Sequence, residues 1–373
     1  MRVAIIHDYL TKLGGAEEVL KVLHKLYPTA PIFTLLYDKT GTKNQFENGY
    51  DIRPSNLQKL PRAIRNRQKL LLSRFPKAIE KFDLSGFDVV ISSSNSFAHG
   101  VITNPKTLHI TYCYSPTRYL WDWAPQYLKE NNIGFGAAGI FIRNLLSKVR
   151  LWDFNASKRT DEFIAISKTV AARIKKYYRR DSTVIYPPAA TRKYLDNDRK
   201  VEDFYLIVSR LSPYKNIDLA IRACNQLKKS LYIVGEGADK KRLENLAGPT
   251  IKFLGWQTDE TKIELFKHAR AFIFPGEDDF GLTPVESMAA GRPVIALNSG
   301  GSTETVVAGK TGEFFDDAKN PKDLIDAINR LEKNYSNYSI ENCQSQAGKF
   351  STEIFIKNFS EFVNEKYKTF KKK

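Results

Sequence analysis

The chain has 373 residues, and its 42% hydrophobic and 27% charged side chains are the balance of a folded protein, which excludes a disordered or fibrous chain. At roughly 150 residues per domain this length predicts two domains, or three, with room for a core that needs no metal or disulfide. Lysine and arginine number 58 against 41 acids, a formal charge of +17, and that excess implies an anionic partner: nucleic acid, a phosphorylated substrate or an acidic lipid surface.

Val3 to His7 reads as a short buried strand, and His7-Asp8 interrupts the apolar run too early for a signal peptide. The loop Lys12-Leu13-Gly14-Gly15 follows, then a helical pattern through Ala16, Val19, Leu20, Leu23 and Leu26 that Pro28 ends. Ile32 to Leu36 and Val89 to Ser92 are the next strand candidates. Strands alternating with helices predict parallel α/β architecture with right-handed crossovers. Between Arg53 and Lys81, nine basic residues and one acid, Glu80, are interleaved with Leu57, Leu60, Ile64, Leu70, Leu71, Leu72 and Phe75. That mixture predicts a surface helix against anionic lipid headgroups; a solvated helix face is the plainer alternative.

The pattern then restarts. Strands are expected at Phe204 to Val208, Leu231 to Val234, Ile251 to Leu254, Ala271 to Phe274 and Val294 to Leu297, with helices at Asn216 to Leu227, Glu260 to His268 and Pro284 to Ala290. This is a second doubly wound sheet. Two prolines in Ile185-Tyr186-Pro187-Pro188 mark the boundary, and the polar stretch Thr191 to Asp203 follows it. The expected domains are residues 1–188, 189–350 and a C-terminal helix with a basic tail, 351–373, that could pack on either. No apolar stretch approaches the roughly 18 residues of a membrane span. Cys113, Cys224 and Cys343 fit neither a zinc spacing nor a disulfide framework, so a reducing, cytoplasmic compartment is expected.

Two loops carry the charged groups that could do chemistry. Ser209-Arg210-Leu211-Ser212-Pro213-Tyr214-Lys215 sets two cations five residues apart at a strand end. An arginine fork and a lysine point charge suit phosphate oxygens, although two solvated cations would look the same. The segment Phe274 to Glu286 ends a strand with Glu277-Asp278-Asp279, continues through Phe280-Gly281-Leu282-Thr283, and opens a helix at Pro284 with Glu286 in the first turn. A carboxylate there can accept two hydrogen bonds from a ribose diol, or simply offset the helix dipole. The acidic triplet reads as a solvated turn or as magnesium ligands.

Both loops resemble the signature of glycosyltransferase family 4, retaining sugar transferases with the two-domain GT-B fold. Arg210 and Lys215 match that family's diphosphate-binding pair, Asp278 to Glu286 its Glu-x7-Glu motif, and Gly291-Arg292-Pro293-Val294-Ile295 the continuation. Gly14-Gly15-Ala16-Glu17, Tyr186-Pro187-Pro188, Gly235-Glu236-Gly237 and Gly300-Gly301 also fall in register, so the resemblance covers nearly the whole chain. The stretch Tyr112-Cys113-Tyr114-Ser115-Pro116-Thr117-Arg118-Tyr119-Leu120-Trp121-Asp122 is similar to one in bacterial mannosyltransferases of O-antigen and exopolysaccharide assembly. Two departures stand out: Tyr114 replaces a histidine of that stretch, and Asp278 replaces the first glutamate of the motif, with Glu277 beside it.

The resemblance implies two Rossmann-like domains facing across a central cleft. It also implies a retaining transfer from a nucleotide-sugar donor, GDP-mannose in preference to a UDP-sugar, to a hydroxyl of a lipid-linked or oligosaccharide acceptor in cell-surface polysaccharide synthesis. Arg210, Lys215, Asp278 and His99 would serve the chemistry, and Glu286 the ribose. Gly14, Gly15, Gly235, Phe280, Gly281, Leu282 and Thr283 would line the donor's phosphates and sugar. No metal or other cofactor is implied. The chain would sit at the inner face of a membrane, held through residues 53–81. A nucleic-acid partner would explain the charge but not the diol-binding acid, so none is expected. A non-catalytic scaffold of the same fold would be expected to lose Arg210, Lys215 or Glu286, and all three are present.

Overall fold

The computed structural model describes residues 1–134, 136–195 and 200–372; Lys373 of the basic tail and residues 196–199 of the polar stretch lie outside them. The chain divides into two units, Met1–Tyr186 with Ile356–Lys373, and Pro187–Phe355.

The first unit is built on seven parallel strands: β1 (Val3–His7), β2 (Ile32–Thr34), β3 (Ile52–Pro54), β4 (Val89–Ser94), β5 (Leu108–Cys113), β6 (Glu162–Ala165) and β7 (Thr183–Val184). Their spatial order is β3-β2-β1-β4-β5-β6-β7. All five residues of β1 are buried, so it reads as a continuous apolar run without alternation. Ile6, Phe33, Phe75, Val90, Phe97 and Leu146 meet in one core. The helix Thr352–Phe370 joins this unit from Ile356 onward. Phe359 packs edge-on to Tyr112 with ring centroids 5.9 Å apart, and Lys366 pairs with Glu162 at 3.3 Å.

Residues 53–81 do not form the single surface helix that the sequence predicts. They run as β3, the turns Asn56–Lys59 and Gln68–Leu71, and the short helices Arg62–Arg65 and Phe75–Ile79. Pro61 and Pro76 each open a new helix, because neither can continue the turn before it. Leu57, Leu71, Phe75, Ala78 and Ile79 are buried in the core, which pins the segment along its length and leaves its cations outside.

The second unit has six parallel strands: β8 (Phe204–Val208), β9 (Ser230–Val234), β10 (Ile251–Gly255), β11 (Ala271–Phe274), β12 (Val294–Leu297) and β13 (Gly312–Phe315), in the order β10-β9-β8-β11-β12-β13. Helices Ile217–Leu227 and Pro321–Lys333 place Ala220, Ile221, Leu324 and Ile328 against Tyr205, Ile207, Ile233 and Ile273. The chain winds away from β8 in both directions, so the carboxyl ends of β8 and β11 flank a topological switch point, where open α/β sheets bind ligands. Two Rossmann-like parallel sheets of this kind are the α/β architecture expected from the sequence. Among the described residues no helix is long and apolar enough to cross a membrane.

Candidate functional site

At the switch point of the second unit, the loop after β8 is stitched to the loop after β9. Ser209 N donates to Val234 O at 3.0 Å and Leu211 N to Glu236 O at 3.1 Å. Only glycine fits at 235: its φ is +134°, and a Cβ there would lie 1.9 Å from Ser209 O. Gly235 therefore seats the loop that carries Arg210. The Arg210 side chain is exposed and makes no hydrogen bond or ion pair among the described residues.

Lys215 differs. It is 9% exposed, and its ammonium lies 2.5 Å from Asp278 Oδ2 and over the Tyr214 and Phe274 rings at 5.1 and 5.7 Å. Two predicted residues, 63 positions apart, thus meet as an ion pair across the β8 and β11 loops. The pair has a consequence for charge. Asp278 offsets Lys215, so the uncompensated cation at this strand end is Arg210. The Asp278 loop is braced in turn: Gly301 N donates to Asp278 O at 2.9 Å, and Ser299 Oγ donates to Glu277 Oε2 at 2.9 Å. Phe280 turns its ring inward, 5.5 Å from Phe350, so only its backbone is available to a ligand. Gly281, at φ +83°, caps the helix Leu282–Ala289, whose first-turn amides at Leu282 and Thr283 have no intrahelical acceptor.

Glu286 sits half-buried on that helix and faces a different set of side chains. Burial raises its carboxyl above the usual range, and the nearby Lys193 and Lys262 ammoniums and the Tyr194 hydroxyl oppose the rise. Lys193 and Lys262 both also reach Asp259, at 3.6 and 2.6 Å. Sequence reasoning missed Tyr194, which lies in the polar stretch after the boundary prolines and whose ring packs edge-on to Phe266 at 5.7 Å.

The first unit uses its polar residues differently. Gly14 and Gly15 open the helix Gly15–Leu26 beyond the end of β1, with Glu17 and Glu18 in its first turn. His7, at the end of β1, lies 3.0 Å from Ser93 Oγ and 3.5 Å from Glu17 Oε1. Tyr114 donates to Ala16 O at 3.1 Å and shares a bond with Ser93 Oγ at 2.9 Å. Burial pushes its hydroxyl far above the usual range, so it remains a neutral donor tying β5 to that helix start. His99 is 2% exposed, with Nδ1 at 3.3 Å from Ser94 Oγ and Nε2 at 3.6 Å from Asp153 Oδ1. The structure thus places His99 in a buried polar layer, not on an open strand end. Burial raises the Asp153 carboxyl, and His99 with the Trp121, Thr117 and Tyr178 donors pulls it back. Asp8 accepts from the backbone N–H groups of Asn95, Phe97 and Ala98, each at 2.6 Å. Neither Asp8 nor Asp153 carried a sequence signal, since each is a lone acid in an apolar setting.

Residues 196–349 match the family model "Glycosyl transferases group 1", within the second unit. The chain is 27% identical over 204 residues to an uncharacterized glycosyltransferase of Methanocaldococcus jannaschii, covering 53% of this chain and 57% of that one. It is 25% identical over 342 residues to an alpha-1,3/1,6-mannosyltransferase of Dictyostelium discoideum, covering 77% and 76%. A GDP-mannose-dependent alpha-mannosyltransferase of Mycolicibacterium smegmatis is 31% identical over 180 residues, 44% and 47% of the two chains. Two of these three matches therefore span only about half of the relative. Among solved structures, HepE of Anabaena in complex with UDP superposes with a TM-score of 0.71 over 98% of this chain and all of that one, at 18% identity. The chain shares the fold of this solved structure over nearly its whole length, and within its second unit residues 196–349 match the group 1 glycosyl transferase model.

Proposed function

We propose that the chain is a retaining glycosyltransferase that moves mannose from GDP-mannose to a hydroxyl of a lipid-linked or oligosaccharide acceptor in cell-surface polysaccharide synthesis. The observation that carries this reading is the convergence of Arg210 and the Lys215–Asp278 pair on the carboxyl ends of β8 and β11, inside the segment that matches the family. Breaking a glycosyl–diphosphate bond leaves negative charge on the departing oxygens. Exposed Arg210, the Lys215 ammonium and the amides of Leu282 and Thr283 are the donors that stabilise it. Lys215 also holds Asp278, so substrate phosphate competes with that carboxylate for one ammonium. Glu286 accepts from the ribose diol, with Tyr194 fixing its carboxyl.

The mannose and GDP assignments rest on the mannosyltransferase relatives. A UDP-sugar is the second reading, favoured by the UDP-bound structural neighbour. No metal is required in this mechanism: Glu277 is engaged by Ser299 and Asp278 by Lys215, so both carboxylates are already committed to protein partners. Transfer persisting in excess EDTA is the expected result. The chain works at the inner face of an anionic membrane, with residues 53–81 presenting the cations.

Thermal shift and donor hydrolysis against GDP-mannose, UDP-glucose and ADP-glucose test the assignment. Stabilisation and turnover with GDP-mannose alone support it; turnover with the UDP-sugar alone selects the second reading. No response to any of the three overturns both.

A further inference from the structure

The first unit holds a cavity of about 290 Å³ that none of the chemistry above uses, lined in part by Thr11, Lys12, Asp38, Arg65, Asn66 and Gln68. It lies beyond the carboxyl ends of β1 and β2, where the two chains stay paired through Leu10 and Tyr37 after the strands end. Gln68 forms one wall by donating to Thr11 Oγ1 at 3.1 Å, which ties the basic segment to the end of β1. Gln58 fixes another by bonding both the N–H and the C=O of Tyr37, at 3.0 and 2.8 Å.

Hydrogen-bonding capacity in this cavity is unbalanced. Lys12 is exposed, and neither it nor the Asn66 side chain has a polar partner among the described residues. Arg65 bonds Leu60 O through Nε at 3.1 Å, and among the described residues both its terminal nitrogens are unspent. The single acid, Asp38, already accepts from Thr40 N at 3.1 Å and lies 3.9 Å from Arg62. Surplus donors and two uncommitted cations define an anion site, and oxygens in the number a phosphate offers would satisfy them. The volume is at the low end of the roughly 300–1,000 Å³ of ligand sites. It has room for a phosphate group and an adjoining ring, not for a whole acceptor.

The rim is apolar. Ile64 and Leu70, on the same segment as Arg65, are 37% and 64% exposed. Lys69 donates to Asn131, which joins this segment to the stretch before the helix Ala137–Ser157, where Ile140 and Phe141 are 52% and 70% exposed. Exposed Ile64 and Leu70 alternating with Arg62, Arg67 and Lys69 match the headgroup and acyl boundary of a bilayer.

We propose that this cavity binds the phosphate or diphosphate of a lipid-linked acceptor, with Lys12 and Arg65 as its anion ligands and Ile64 and Leu70 against the lipid chain. The inference rests on the reading of the chain as a transferase with such an acceptor, and it supplies what that reading lacks: the atoms that recognise the acceptor class.

Vesicle co-sedimentation of the full chain tests it. Vesicles of neutral phosphatidylcholine carry a few mole per cent of geranylgeranyl diphosphate or, as the uncharged control, geranylgeraniol; saturating GDP is present throughout to occupy the donor site. Retention on the diphosphate vesicles is expected to exceed the control roughly tenfold, and Lys12→Ala with Arg65→Ala to remove most of that excess. Lys12→Ala alone, at an exposed position, covers the case in which the double variant does not fold. Lys319→Ala with Lys322→Ala, two exposed lysines of the second unit, removes the same charge and is expected to change nothing. Equal losses in both doubles, or none in either, overturn the proposal. Calorimetry with inorganic pyrophosphate, again under saturating GDP, separates the sources: Lys12-dependent binding in solution without any gain on vesicles assigns the pocket to a soluble phosphate and overturns the lipid assignment. GDP binding is measured alone on the same proteins. Its absence beside Lys12-dependent retention refutes the donor reading and not this one.

Discussion

The carboxyl ends of the two central sheets are furnished with the same kinds of residue and used in opposite ways. In the first unit His7, Asp8, His99 and Asp153 are buried, and with half-buried Tyr114 they are bonded to protein side chains or backbone, so these polar groups are spent inside the fold. In the second unit Arg210 is left exposed, and Asp278, the partner of Lys215, keeps a third of its side chain open to solvent. Buried polar networks hold a fold in one arrangement when every member is satisfied. Charges left at a strand end cost little stability and are free to meet a ligand. Substitutions should therefore separate: those in the buried polar layer of the first unit change stability, and those at the strand ends of the second change turnover.

The largest expected effect is on Lys215→Ala. Losing one preorganised electrostatic donor costs on the order of a hundredfold to a thousandfold in turnover, while the Asp278 left behind is open enough to be solvated. Steady-state kinetics alongside a melting curve read both quantities. Retention of half the wild-type turnover would remove Lys215 from the mechanism.

Asp8→Asn comes next and should act the other way. Three backbone N–H groups lose a carboxylate acceptor, two of them in a buried setting, for about 2–4 kcal/mol of stability. Urea unfolding measures it. A loss below about 0.5 kcal/mol would mean the strand-end loop 95–98 is not held by this carboxylate.

His109 sharpens the comparison through pH. It is fully buried on β5, with Nε2 at 2.8 Å from Ser92 Oγ, and desolvation lowers its pKa from 6.5 to about 3, with a smaller push from His99. Because the folded value is depressed, the unfolded chain takes up a proton that the native ring refuses. Its contribution is complete above pH 6.5 and is lost as pH falls towards about 3, adding a slope of up to about 1.4 kcal/mol per pH unit. Denaturation across that window, with the ring followed by NMR, checks this. A ring that titrates near 6.5 in the native state contradicts it.

The smallest of these effects is on Glu286→Gln. A carboxylate that binds a diol should lose about tenfold in affinity for GDP and almost nothing for a 2′,3′-dideoxy analogue. Equal losses for both ligands would confine Glu286 to its network with Tyr194.

How much of this was legible in the sequence follows from the same contrast. Strands β1, β8, β11 and β12 are apolar runs and were readable as such. β5 was not, because Leu-His-Ile-Thr-Tyr-Cys hides two polar residues whose partners, Ser92 and Thr160, are 17 and 49 positions away. β13 escaped for another reason: Gly-Glu-Phe-Phe is four residues with no period. Arg210, Lys215, Asp278 and Glu286 are singled out by their resemblance to a glycosyltransferase signature, since their charges alone fit solvated side chains equally well. The pairing of Lys215 with Asp278, the tie from Glu286 to Tyr194 and the burial of His99 between Ser94 and Asp153 could not, since each depends on residues brought together only by the fold. For residues 53–81 composition was a sound guide to charge and a poor one to shape, because buried anchors such as Leu57, Leu71, Phe75 and Ile79, with Pro61 and Pro76, divide the segment.

The central claim is that Arg210 is the uncompensated cation that receives the donor's diphosphate. Calorimetric titration of GDP into the wild-type chain and into Arg210→Ala tests it most directly, since among the described residues this exposed side chain has no partner whose loss could disturb the fold. The expected result is an unchanged melting temperature with affinity reduced roughly tenfold or more, as for loss of a charge-assisted phosphate contact. Equal GDP affinity in the two proteins would contradict the claim.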